Sequence, residues 1–210
     1  MLGIHDLPLF IASGLLLNIT PGADSLYIVT RSVTQGVRAG IAAVLGISTG
    51  CYVHIVAAAL GLSALLSTSA SVFMLVKLVG AAYLVYVGIS LLRQRPSTVP
   101  DSLVPVSTLP LRKIFAQGFL TNVLNPKVAL FFLAFVPQFI DPAAPSKALA
   151  FLALGVIFNV NGTLWCLFLA WSAARIGSLN VGRKATACLS KGTGALFVAL
   201  GLHLALEKPR

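Results

Sequence analysis

Residues 39–76 read AGIAAVLGISTGCYVHIVAAALGLSALLSTSASVFMLV, a run without one Asp, Glu, Lys or Arg. At 1.5 Å of rise per residue, a helix of that length is nearly twice as long as the ~30 Å hydrocarbon core of a bilayer. The run therefore folds back on itself, and the polar cluster Ser67-Thr-Ser-Ala-Ser71 is the natural place for the turn. This gives two helices, over about residues 39–66 and 72–92. Soluble domains carry roughly 25% charged residues. This chain of 210 residues has 10% charged and 58% hydrophobic residues, with a mean hydropathy of +0.95. Those values exclude a large soluble domain and imply an all-α integral membrane protein with the lipid bilayer as its solvent.

Working outward, a first apolar segment covers residues 7–29, interrupted at Asn18–Thr20 and Asp24. Beyond the central pair, Arg93 and Arg95 close the third helix, and a Pro-, Ser- and Thr-rich stretch at 96–110 has no helical period. Further helices are expected over 114–136, 148–174 and 185–206. The organisation is a three-helix unit at 1–95, a cytoplasmic linker at 96–111, and a second three-helix unit at 112–210. The loops after helices one, three and five carry nine Lys and Arg: Arg31, Arg38, Arg93, Arg95, Arg112, Lys113, Arg175, Arg183 and Lys184. The opposite side has three, Lys147, Lys208 and Arg210. The positive-inside rule then places those loops in the cytoplasm and both termini outside. Met1 to Asp6 has no Lys or Arg, unlike the basic start of a secretory signal, so the first segment is expected to stay in the mature protein.

The net charge of +10 is explained by this topology. No basic stripe interleaved with aromatics accompanies it, so nucleic acid is not an expected partner. Cys51, Cys166 and Cys188 are isolated and odd in number, which supports neither a disulfide framework nor a zinc site. His54 and His203 have no second ligand at helical spacing, and no metal or other cofactor is expected. No phosphate loop, nucleophile elbow or HExxH occurs, so neither an ATP-driven pump nor an enzyme is indicated.

The two halves resemble each other. Ala12, Gly14, Leu16 and Asn18 match Ala116, Gly118, Leu120 and Asn122 in spacing, and Pro21 corresponds to Pro126 one residue out of step. Lys77, Gly80, Ala81 and Tyr83 likewise match Lys191, Gly194, Ala195 and Phe197. With three spans per half, the copies lie upside down relative to each other, an arrangement that gives transporters two mirrored access states.

Two places combine a helix breaker, amides and a charge near mid-membrane: Asn18-Ile-Thr-Pro21-Gly22-Ala-Asp24 and Asn122-Val-Leu-Asn125-Pro126-Lys127. Proline removes a backbone hydrogen bond and clashes with the preceding turn. In a bilayer, such a break survives only against protein or a wet cavity. A charge at the bilayer centre costs about 2.5–3.5 kcal/mol on insertion scales, so Asp24 and Lys127 are expected to have a function or to pair with each other. Asp24 would meet a substrate ammonium or carry a coupling proton, and Lys127 would meet a carboxylate or, in the empty state, Asp24. Lys77 and Lys191 lie within snorkelling distance of the interface and read as anchors. Asn159, Asn161 and Trp165 fit either a path lining or interhelical hydrogen bonds, and Gly40, Gly46 and Gly50 fit close helix contact.

At these residues the chain resembles the LysE/RhtB family of bacterial amino-acid exporters. The likeness rests on the Asn18–Asp24 motif and the glycine pattern of Gly36–Gly50. It rests further on Lys77-Leu-Val-Gly80-Ala-Ala-Tyr83 with Gly88 and Arg93, and on the run from Phe115 to Lys127 followed by Pro137-Gln138-Phe139. The resemblance implies six transmembrane helices in two inverted three-helix repeats, in the bacterial inner membrane. It also implies efflux of amino acids or close derivatives driven by the proton-motive force. Pro21, Gly22, Asp24, Asn125, Pro126 and Lys127 fall on matching motif positions, with Asn18 and Asn122 beside them. Ala23 stands where the family's second proline is usual, which makes a less rigid break. The expectation is an alternating-access exporter with its site between broken helices one and four and Asp24 as the proton-coupling candidate. A homo-oligomer is compatible with it. An exporter of another small solute such as a metal ion is the alternative, although the spans lack clustered carboxylates, His pairs or thiolates. A membrane-embedded enzyme or scaffold is the more distant one.

Overall fold

The computed structural model describes residues 2–62 and 108–176, with isolated positions within 75–93 and 195–202. The helices expected at 72–92 and 185–206, the linker before residue 108, and Lys77, Lys191, Cys188 and His203 lie outside the described residues, apart from those isolated positions. The described residues are helical, with no strand among them beyond a single bridge between Ile4 and Ile140. Among the described residues six α-helices occur: α1 (Leu7–Ile19), α2 (Ala23–Gln35), α3 (Val37–Ala57), α4 (Leu111–Val123), α5 (Pro126–Leu130) and α6 (Lys147–Ile176). A π-helical turn, Ala58–Leu62, extends α3, and π-helical Phe131–Phe135 and 3-10 Val136–Phe139 extend α5.

Among the described residues, two helices are long and apolar enough to cross a bilayer, Val37–Gly61 and Lys147–Arg175. Two more spans arise if α1 with α2, bent by 53°, and α4 with the Pro126–Phe139 arm, bent by 44°, each count as one. Both bends fall at the motif prolines, where the missing N–H interrupts the backbone ladder. The first span runs on to Gln35, beyond the expected end near residue 29, so Arg31 is a buried helical residue and not a loop cation. Its guanidinium donates to Gln35 Oε1 and Gln117 Oε1, each at 3.2 Å, and lies 5.5 Å from the centre of the Tyr27 ring. These contacts hold inside the fold a charge that reads from sequence as a loop cation, while its Nε is buried without a partner.

The two bent spans run in opposite directions. The start of the first meets the end of the second, where His5 N–H donates to the Phe139 carbonyl at 3.1 Å and Asp141 N–H to Gly3 at 2.8 Å. At the other end, Gln35 at the close of α2 exchanges hydrogen bonds of 3.0 and 3.1 Å with the backbone of Leu109, just before α4.

Packing follows from small residues. α3 lies along α4 with backbones nearly touching: a Cβ on Gly46 would collide with the Phe115 carbonyl, and one on Gly118 would sit 2.7 Å from the Ala43 carbonyl. Without a hydrophobic drive between helices in lipid, such close approach supplies the van der Waals contact that holds them. An aromatic cluster of Phe10, Phe131, Phe132, Phe135, Phe139 and Phe158 fills the end nearer the N-terminus. Leu45, Val56, Leu60, Leu149, Leu164 and Phe168 face outward, as suits surfaces solvated by lipid.

Candidate polar site between the two broken spans

The helix breaks meet across one cavity. Pro21 has no N–H to give the carbonyl four residues back, so Leu17 is left without its helical donor. The chain then turns through Gly22, and α2 begins at Ala23. Pro126 does the same to the carbonyl of Asn122. Asn122 O keeps a turn bond from Asn125 N–H at 2.9 Å, and each of the two carbonyls is reached by a side chain from the other half of the chain. Lys127 Nζ donates to Leu17 O at 2.7 Å and to Thr20 O at 3.0 Å. His54 on α3 donates from Nε2 to Asn122 O at 2.9 Å. Buried carbonyls in a membrane segment need such partners.

The amides complete a second link. Asn125 precedes α5 as its N-cap, with Oδ1 accepting from Lys127 N–H at 3.0 Å. That bond orients the amide so that Nδ2 donates to Asp24 Oδ2 at 3.0 Å. Asn122 Nδ2 donates to the same oxygen at 2.9 Å. The carboxylate of the first half is thus held by amides of the second, and the ammonium of the second by carbonyls of the first. The direct Asp24–Lys127 pair, one of the two alternatives expected from sequence, is not formed. Among the described residues the one ion-pair contact within 4 Å is His5–Asp6, 3.0 Å, on the exposed N-terminal segment. A helix end with free carbonyls competes for the ammonium, and the amides compete for the carboxylate.

The cavity measures about 50 Å³, room for a few waters at roughly 10–15 Å³ each. Asn18, Gly22, Asp24, Asn122, Asn125 and Lys127 line it. Pro21 and Pro126 do not; they shape the backbone that carries the others. Asp24 Oδ1, Asn122 Oδ1 and Asn18 Nδ2 are buried without a hydrogen-bond partner, an uncommon state for polar atoms and a costly one.

Asn159 also lines the cavity and holds α6 to α3, with Nδ2 donating to Ser48 O at 3.3 Å and Oδ1 accepting from Ser48 Oγ at 3.3 Å. Thr163 Oγ1 donates to the same hydroxyl at 2.9 Å. Asn161 and Trp165 are not among the lining residues. Ser48, Thr163 and Gly162 were not singled out by sequence. Asn159 and Thr163 stand one helical turn apart, a spacing that marks a shared polar face, but Ser48 carries no comparable signal. Gly162 leaves space for Asn18: a Cβ there would lie 3.0 Å from Asn18 Nδ2.

The chain is similar to known proteins along most of its length. Residues 15–208 match the family profile described as LysE type translocator. An uncharacterised membrane protein of Pseudomonas aeruginosa is 33% identical, the match covering 97% of this chain and 96% of that one. A homoserine/homoserine lactone efflux protein of Salmonella typhimurium is also 33% identical, over 93% of this chain and 94% of its own. A leucine efflux protein of Salmonella choleraesuis is 27% identical, over 97% and 96%. No solved structure matches the chain. The break motifs, the apolar spans and the extent of these matches agree, and the chain belongs to the LysE type translocator family.

Proposed function

We propose that this protein is a secondary transporter that exports an amino acid or close derivative across the bacterial inner membrane, driven by the proton-motive force. The observation that carries the reading is the reciprocal link at the two breaks, where a carboxylate and an ammonium from opposite halves border one cavity and leave polar atoms unsatisfied. Such unsatisfied buried groups suit a site whose ligand supplies the missing partners. The names of the efflux relatives support an amino acid as that ligand.

In this reading, residues 1–95 and 112–210 are two inverted three-helix repeats joined by a linker at 96–111, giving six spans with both termini outside. The zwitterion enters from the cytoplasm. Its ammonium meets Asp24, and its carboxylate meets amides of Asn18, Asn122 and Asn125. Since the cavity holds only a few waters, loading parts the two halves, and rocking about the breaks at Pro21–Gly22 and Pro126 turns the site outward. A proton entering from outside reaches Asp24, releases the substrate and resets the carrier.

Cells preloaded with amino acids as dipeptides test this. Wild-type protein is expected to speed efflux of one amino-acid class, and Asp24→Asn at equal membrane abundance to abolish the gain. Efflux no faster than from cells lacking the protein, across the whole panel, overturns the function. Full export by Asp24→Asn removes Asp24 from the mechanism.

A further inference from the structure

Lys127 crosses from one half of the molecule to the other to reach two carbonyls, Leu17 O and Thr20 O, at the broken end of α1. The ammonium stands beside Gly22, where a Cβ would lie 3.8 Å from Nζ. Carbonyls at the end of an interrupted membrane helix form a cradle for a cation. Here the cation is part of the protein, and it borders the same cavity as Asp24, whose Oδ1 has no partner. An exporter must return without substrate after each cycle, and buried carbonyls with no donor are a poor species to carry through a closed, dry state. We propose that Lys127 is a tethered stand-in for the substrate's ammonium: it fills the cradle at the end of α1 while no amino acid is bound, and the substrate's primary ammonium, held between Asp24 and these carbonyls across the one cavity, displaces it on loading. This rests on the export reading above and adds what closes the empty site.

A plain helix-capping role would put the same side chain on the same carbonyls, so the test must separate the two. In proteoliposomes holding full-length protein, radiolabelled homoserine and leucine serve as probes, and net efflux is compared with exchange against the same amino acid outside. Exchange returns the carrier loaded, and net efflux returns it empty. In Lys127→Ala the ratio of net efflux to exchange is expected to fall roughly tenfold or more, since only the empty return lacks its cation. An equal fall in both fluxes, or no fall in either, overturns the proposal.

A second measurement needs no transport. Thermal unfolding of purified Lys127→Ala is expected to rise with ethylammonium, which has N–H donors, and not with tetramethylammonium, which has none, while wild type responds to neither. No difference between the two salts in the variant overturns the cradle. Should wild type move neither probe, the export reading fails for them, and unfolding still decides the cradle. If the alanine variant does not fold, Lys127→Gln, which keeps N–H for the carbonyls without the charge, carries the flux comparison.

Discussion

Pro21 and Pro126 each subtract one backbone N–H, and the consequences can be followed atom by atom to Lys127 and His54. His54 illustrates the residue scale. The Asn122 carbonyl also accepts from Asn125 N–H at 2.9 Å, so losing His54 removes one of its two hydrogen bonds, about 0.5–1.5 kcal/mol. His54→Leu is therefore expected to lower the unfolding temperature, whereas His54→Gln, able to donate from an amide, loses less. Equal melting of the leucine variant and wild type would show that the bond contributes nothing. Gly162→Ala belongs to the same scale. Its Cβ pushes on Asn18 at 3.0 Å, so the variant is expected to fold and to export more slowly, as measured by efflux at equal abundance.

At the scale of elements, the interface between α3 and α4 depends on the absence of side chains at Gly46 and Gly118. Gly46→Leu forces backbones apart, and overpacking of this kind costs about 1–3 kcal/mol or more. Reduced yield of folded protein in detergent is expected, with Leu45→Ile, on an outward face, as the tolerated control. Pro21→Ala acts on the break itself by giving residue 21 an N–H for the Leu17 carbonyl. That donor competes with Lys127, so the bend should relax and efflux fall while the protein remains in the membrane. Undiminished efflux would mean that the break does not need its proline. The breaks were legible in sequence because proline has one backbone consequence wherever it stands. The extension of α2 to Gln35 was not, because Arg31 reads as a loop cation until Gln117 is brought beside it.

For the whole molecule, the two bent spans begin at opposite ends, as the contacts of Gly3 and His5 with residues 139–141 and of Gln35 with Leu109 require. The six-span reading adds a direction to the cell. Thr34→Cys, near the first loop, is expected to be shielded from an impermeant thiol reagent applied to spheroplasts, and Ala143→Cys, in the turn before α6, to react with it. The reverse pattern would invert the topology. Membrane class and the two break motifs, with Asp24 and Lys127 as charges set among apolar residues, were determined by the sequence alone. These are properties of composition and of single residues, and hydrocarbon constrains them directly. The tertiary structure decided the partners: Asp24 with Asn122 and Asn125, Lys127 with the end of α1, Ser48 with Asn159 and Thr163. A charge in a bilayer must be satisfied, but which of several donors or carbonyls does so depends on distances across helices far apart in the chain, and only the packed fold sets those.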